Sequence, residues 1–247
     1  MALLGILGGM SWESSAAYYR LLNEGYRDAR GGLHSAPLLL HSVNFASIAA
    51  LQKAGDWQTA GIQLADAARG LERAGAGALL LATNTMHKVA AAIENAVDIP
   101  LLHIGDAVGD ALQAGAFRRV ALLGTRFTMQ QDFYRLRLAE RYGIEVLLPE
   151  EAEMVEIDRI IFTELCQGRF TSASRAYYLA CLERLHSQGA QAAILGCTEI
   201  GLLLQEVAAP LPLIDSTQLH VQSGLHWLLD DNDESALVSA SIKDSPP

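Results

Sequence analysis

The chain is poor in several residue types, and each shortage excludes a chemistry. It has only three cysteines, Cys166, Cys181 and Cys197, at no regular spacing, so it carries no disulfide framework. The odd count points to reduced thiols and a cytoplasmic address. Lysine occurs only at Lys53, Lys88 and Lys243, none in a setting that would hold pyridoxal phosphate as a Schiff base. The seven histidines are scattered, with no H-E-x-x-H and no paired ligand spacing, so no metal is expected. There is no G-x-x-x-x-G-K-[ST], and the glycines of "GILGGMS" do not form G-x-G-x-x-G, so no nucleotide cofactor is expected either. "GCTEIG" is not the G-x-S-x-G elbow of a hydrolase. A basic surface is missing: the formal charge is −10, which argues against nucleic acid as a partner. No apolar run nears the roughly 20 residues needed to span a bilayer, so no membrane partner is expected. The opening "MALLGILGGMSW" lacks a basic start and a cleavage pattern and reads as a first buried strand.

What is present is a core-forming composition. Of the 247 residues, 51% are hydrophobic and only 19% charged, enough for one large domain or two smaller ones. Short apolar runs recur at 3–7, 37–43, 78–82, 100–104, 120–124, 144–149, 192–196 and 210–215, and read as strands. Between them lie amphipathic stretches such as "TAGIQLADAARGLERAG" and "TSASRAYYLACLERLHSQG". Strands alternating with helices of this length imply crossover units, and continuous apolar strands imply parallel sheets buried on both faces.

The second half repeats the first. "LLGILGGMSWESSAAYY" matches "VALLGTRFTMQQDFY" with Gly8 opposite Gly124, an offset of 116. "GLERAGAGALLLATNTM" from 70 matches "RLHSQGAQAAILGCTEI" from 184 without a gap, an offset of 114. "IPLLHI" from 99 matches "LPLIDS" from 211, an offset of 112. Apolar strands always resemble one another; the polar loops that fall into register behind them carry the comparison. The expected fold is α/β, with two pseudo-symmetric doubly wound domains and parallel sheets. The first half is placed at 1–98, with a helix at about 216–230 returning to it, the second at 99–215, and an acidic, mobile tail at 231–247.

In that register Thr83 stands opposite Cys197, Asn84 opposite Thr198 and Thr85 opposite Glu199. Each trio follows a strand and precedes a helix. Ligands of open α/β sheets bind beyond the carboxyl ends of strands, where first-turn N–H groups suit a carboxylate. Two facing halves would line one cleft from both sides, an arrangement suited to chemistry on two faces of a carbon. The alternative for Cys197 is a packed core thiol, the commoner fate of free cysteine. Cys166 and Cys181 sit in helix-period stretches and read as core. Thr125 and Thr128, after the strand at 120–124, fall near the cleft by the repeat, or are ordinary turn and cap residues.

"LGGMSWES", "TNTMH" and "GCTEI" together resemble the aspartate/glutamate racemase family, over nearly the whole chain up to about residue 230. The resemblance implies racemisation of an amino acid without pyridoxal phosphate, two pseudo-symmetric α/β domains, a homodimer, and a cysteine from each domain flanking the substrate Cα. It implies Asn84, Thr85 and Thr198 as binding residues with Met10 and Ser11 nearby, and Gln52 at a position that contributes to substrate binding; Thr125, placed by the repeat, and Glu199, beside Cys197, complete the expected substrate site. His87 also has a counterpart in the family motif, either orienting the loop or packing at a helix start. "TEI" after Cys197 is similar to the aspartate branch.

One departure bears on mechanism. Thr83 replaces the first cysteine of the family's Cys-Asn-Thr. A thiol near a helix N-terminus is expected to ionise close to neutral pH, whereas a threonine hydroxyl is a far weaker acid. The pair Cys197 and Thr83 therefore predicts an asymmetric site in which Cys197 takes the α-proton of one enantiomer and Thr83 returns one on the other face; the resemblance implies that the cysteine of the second domain serves the L-enantiomer. Cys166 falls where acidic-substrate members carry a lysine, which leaves a neutral polar substrate open beside aspartate and glutamate. A cysteine-dependent decarboxylase or isomerase, and a small-ligand sensor without chemistry, are the alternatives.

Overall fold

The computed structural model describes residues 2–205 and 207–243. In chain order it runs β1 (Leu4–Gly8), α1 (Trp12–Arg30), β2 (Leu38–Ser42), α2 (Phe45–Ala54), α3 (Trp57–Arg73), β3 (Ala78–Leu81), α4 (Ala90–Glu94) and β4 (Leu101–Leu102). It continues with α5 (Ile104–Ala114), β5 (Arg119–Gly124), α6 (Arg126–Gln130), α7 (Asp132–Tyr142), β6 (Glu145–Leu147), α8 (Glu151–Thr163) and α9 (Ser172–Ser187). β7 (Ala192–Gly196), α10 (Thr198–Leu204), β8 (Leu213–Asp215) and α11 (Ser216–Lys243) complete it. Single 3-10 turns occupy Thr85–Val89 and Leu165–Gln167. All eight strands fall on the apolar runs of the sequence. The chain divides into two compact units: one holds the residues up to Ala82, Val89–Leu102 and the chain from His220 on; the other holds Thr83–Lys88 and His103–Leu219.

The first unit is built on a parallel sheet of order β2-β1-β3-β4. Leu4, Ile6, Ala78 and Leu80 pack in one cluster with Tyr18 and Leu22 of α1 and with Val221 and Leu228 of α11. On α3, Leu64, Ala68 and Leu71 are buried, and that helix lies along β1 and β2. The central strands β1 and β3 are thus buried at every position, which is why they read as unbroken runs, while the edge strand β2 ends on exposed His41 and Ser42. Leaving β1, Gly9 turns at φ +95°; a Cβ there would stand 2.2 Å from the Val43 carbonyl oxygen, so only glycine fits. Ser11 then caps α1, its Oγ accepting from the Ser14 amide at 3.2 Å.

The second unit repeats the plan with order β6-β5-β7-β8, again all parallel. β5 takes the place of β1, β7 that of β3 and β8 that of β4, as the sequence offsets require. Its core joins Val120, Leu122, Ile194, Ile157, Tyr178 and Leu182, all buried. Cys181 lies in this core. The structure is therefore α/β with two four-stranded parallel sheets flanked by helices, as expected. The stretch expected as a tail is helical through Lys243; it contains no glycine or proline before that point to stop a helix, and residues 244–247 lie outside those described.

Candidate active site

In each sheet the first and third strands are adjacent, and the connections leave them in opposite directions. Ligands of such sheets bind at this switch point, beyond the carboxyl ends of the strands. In the second unit those ends are Gly124 and Gly196, directly paired across β5 and β7. A Cβ on Gly124 would lie 3.2 Å from the Gly196 carbonyl oxygen, and one on Gly196 would lie 3.1 Å from that of Leu123. The absence of side chains lets Thr128 close over both positions.

Thr125 follows β5 and caps α6, its Oγ1 accepting from the Thr128 amide at 3.3 Å. Thr85 completes a ring of hydroxyls: Thr85 Oγ1 lies 3.2 Å from Thr125 Oγ1 and 3.1 Å from Thr128 Oγ1, and the last two are 3.2 Å apart. Asn84 Nδ2 donates to Ser216 Oγ at 3.1 Å, and Ser216 Oγ donates to the Leu195 carbonyl at 2.7 Å. Residues 83–88 are thereby tied to the carboxyl ends of β5, β7 and β8. The amide oxygen Asn84 Oδ1 is buried without a hydrogen-bond partner, an acceptor left open at a residue only 7% exposed. Such a group costs free energy unless a ligand or water supplies a donor.

Cys197 sits at the N-cap position of α10 in extended conformation (φ −156°, ψ 131°). That backbone brings its thiol onto the residue two positions on: Sγ donates to Glu199 Oε2 at 2.9 Å. Cys166, on the turn Leu165–Gln167, points its Sγ at Glu199 Oε1 from 3.8 Å. Glu199 is buried, and among the described residues no cation forms an ion pair with it. The expectation of an easily ionised Cys197 is overturned for the free protein. Burial raises the thiol's pKa well above its ordinary value, and the Glu199 carboxylate, by its charge and by accepting the thiol hydrogen, raises it further. The Glu199 backbone amide acts the other way and is outweighed. Cys181 is raised as well, to about 12, by burial alone.

Thr198 Oγ1 is 3.1 Å from Thr217 Oγ1, and Asp215 at the end of β8 accepts from the Thr217 and Gln218 amides at 2.8 and 3.1 Å. Thr83, Asn84, Thr85, Thr125, Cys197, Thr198 and Glu199 thus all belong to the second unit and sit in the loops that leave its strands or in the segment 83–88. Met10, Ser11 and Gln52 belong to the first unit. Met10 is buried, Ser11 serves as a helix cap, and Gln52 is half-buried on α2. Sequence reasoning missed Ser216, although its place directly behind β8 matches the polar positions it did select. Cys166, expected as core, does pack against the core of the second unit, and its half-buried thiol also shares Glu199 with Cys197. Among the described residues no group of three His, Cys, Asp or Glu side chains is placed to hold a metal ion, and no helix is long and apolar enough to cross a membrane.

Fold and loops define an α/β protein of duplicated plan with a thiol, a carboxylate and several hydroxyls gathered at a switch point. The profile of the family described as Asp/Glu/hydantoin racemase matches residues 7–224. The chain belongs to that family. It is 46% identical to a Yersinia pestis protein proposed as an Asp/Glu racemase, whose crystal structure superposes with a TM-score of 0.88 over 93% of this chain and 100% of that one. An aspartate racemase homologue from Pyrococcus horikoshii OT3 is 33% identical, with a TM-score of 0.81 over 92% of this chain and 99% of the other. The broad specificity amino-acid racemase RacX of Bacillus subtilis is 26% identical over 152 residues, 62% of this chain and 65% of RacX, so the match spans just under two thirds of that relative.

Proposed function

We propose that the protein racemises a free amino acid without a cofactor, with Cys197 and Thr83 as the acid/base pair. The substrate is aspartate, glutamate or a related polar amino acid, and the L-enantiomer turns over faster. The observation that carries this reading is the Cys197 thiol, hydrogen-bonded to a buried carboxylate at a sheet's switch point in a chain of this family. In the L-to-D direction the Cα–H bond breaks as the Cys197 thiolate takes the proton. A proton then passes from the Thr83 hydroxyl, or from water held by it, to the opposite face of Cα. Cys197 releases its proton and Thr83 regains one from solvent before the next turnover. With the site empty the thiol donates its hydrogen bond to Glu199 and keeps its proton, so Cys197 must lose that proton before it can act as the base. The open acceptor Asn84 Oδ1 suits the substrate's ammonium group, and amide and hydroxyl donors of the loops suit its carboxylate.

The deciding experiment incubates single L-amino acids with the protein in D₂O and follows the α-hydrogen by proton NMR and the enantiomer ratio by chiral chromatography. Exchange of the α-hydrogen with approach to equal enantiomers, lost in Cys197→Ala, is the expected result. Release of CO₂ in place of exchange, or binding with neither, would overturn it.

A further inference from the structure

His87 is buried, and both of its ring nitrogens are engaged. Nδ1 lies 2.8 Å from the carbonyl oxygen of Thr83, and Nε2 lies 3.2 Å from the amide nitrogen of Ile104, the first residue of α5. A carbonyl oxygen only accepts and an amide N–H only donates. One state of the ring satisfies both: neutral, with the proton on Nδ1. The neighbouring ring of His103, 4.4 Å away between centroids, is neutral by the same argument, because its Nδ1 accepts from the Gly105 amide at 3.0 Å.

We propose that His87 is a positioning residue which, through its Nδ1–H, fixes the Thr83 carbonyl and so the direction of the Thr83 side chain. The proposal rests on the reading of Thr83 as the second proton carrier. Three successive residues of this loop are each held by a different group: Thr83 by His87, Asn84 by Ser216, and Thr85 by Thr125 and Thr128. Only the first hold acts on residue 83. It closes within four residues, over a 3-10 turn, so its geometry depends little on distant packing. A threonine hydroxyl needs exact aim more than a thiolate would, because it is a weak acid and its proton must travel a short, aligned path. Misplacement of a reacting group by about 1 Å costs on the order of 100-fold in rate.

The two nitrogens can be tested apart. Asparagine places an amide N–H where Nδ1 stands and nothing at Nε2; glutamine places a carbonyl oxygen where Nε2 stands and no donor near Thr83; phenylalanine fills the volume and offers neither. With positioning of Thr83 as the role, His87→Asn keeps kcat within about threefold of wild type, while His87→Gln and His87→Phe lower kcat roughly 10- to 100-fold with KM within about threefold. Thermal melts establish that each variant is folded. Activity in His87→Gln with loss in His87→Asn would assign the residue to anchoring α5, and near-wild-type rates in all three would leave it no role; either overturns the proposal. A second measurement does not depend on turnover. In the ligand-free protein, nitrogen-15 NMR of the His87 ring is expected to show Nδ1 protonated, and a proton on Nε2 would refute the geometry. Absence of α-hydrogen exchange in the wild-type protein would instead refute the racemase reading, with the ring measurement still standing or falling alone.

Discussion

At Cys197 burial, the charge of Glu199, the hydrogen bond the thiol donates to it and the neighbouring Cys166 all hold the proton on sulfur, and the Glu199 backbone amide opposes them. The balance favours the thiol, so in the free protein the proposed base is scarce at neutral pH. The pH profile of kcat/KM reports free-enzyme ionisations. For an L-amino acid it is expected to rise with pH through the alkaline range, its limb lying above the ordinary thiol value. Glu199→Gln keeps an acceptor beside the sulfur but removes the charge, so the thiol pKa falls and the limb moves to lower pH. A limb that stays put or moves up would show that Glu199 does not set this ionisation. In the proposed pair Thr83 is the weaker half, since its hydroxyl ionises far less readily than a thiol. Thr83→Cys is expected to raise kcat about tenfold or more, given the 10²- to 10⁴-fold that a matched acid/base contributes. Unchanged turnover would count against the role given to it.

Among the elements, α11 meets the first sheet through a buried histidine. The Tyr18 hydroxyl lies 2.7 Å from His220 Nδ1, and His220 Nε2 lies 2.6 Å from the Leu102 carbonyl oxygen on β4. The neutral ring, proton on Nε2, joins α1, β4 and α11. Burial holds its pKa down at about 4, against 6.5 for an ordinary histidine. A group depressed in the fold contributes stability that is present above its unfolded value and is lost as pH falls through the folded value. Unfolding in urea is therefore expected to show a loss on the order of 3 kcal/mol between about pH 6.5 and 4, a limb that His220→Gln flattens. The elements themselves were legible from the sequence because buried parallel strands announce themselves as apolar runs. The offsets of 116, 114 and 112 residues match Gly8 with Gly124, Ala78 with Ala192 and Leu101 with Leu213, each pair at equivalent places in the two sheets. What was not legible depends on contacts between distant residues, such as Asn84 with Ser216, 132 positions apart. The raised Cys197 pKa had another cause. Residues two apart do not face each other within a helix, and only the extended backbone of Cys197 turns its sulfur onto Glu199.

For the whole molecule, thermodynamics limits what an asymmetric pair can achieve. Free enantiomers in water have an equilibrium constant of one, so kcat/KM must be equal in the two directions whatever groups stand on the two faces. A larger kcat for the L-enantiomer is expected to come with a proportionally larger KM, measurable by initial rates from each side; unequal kcat/KM at equal final concentrations would mean that a second reaction consumes one enantiomer. The make-up of the two units carries a consequence for biosynthesis. Everything in the second unit, Thr83–Lys88 and His103–Leu219, precedes residue 220 in the chain. The first unit needs α11, whose Gly224 fits against Leu4, Leu22 and Leu80 and whose Leu228 joins the same cluster. A ribosome therefore delivers the second unit whole while the first still lacks the helix that completes one apolar sheet face, so the half that is translated first is the half that matures last.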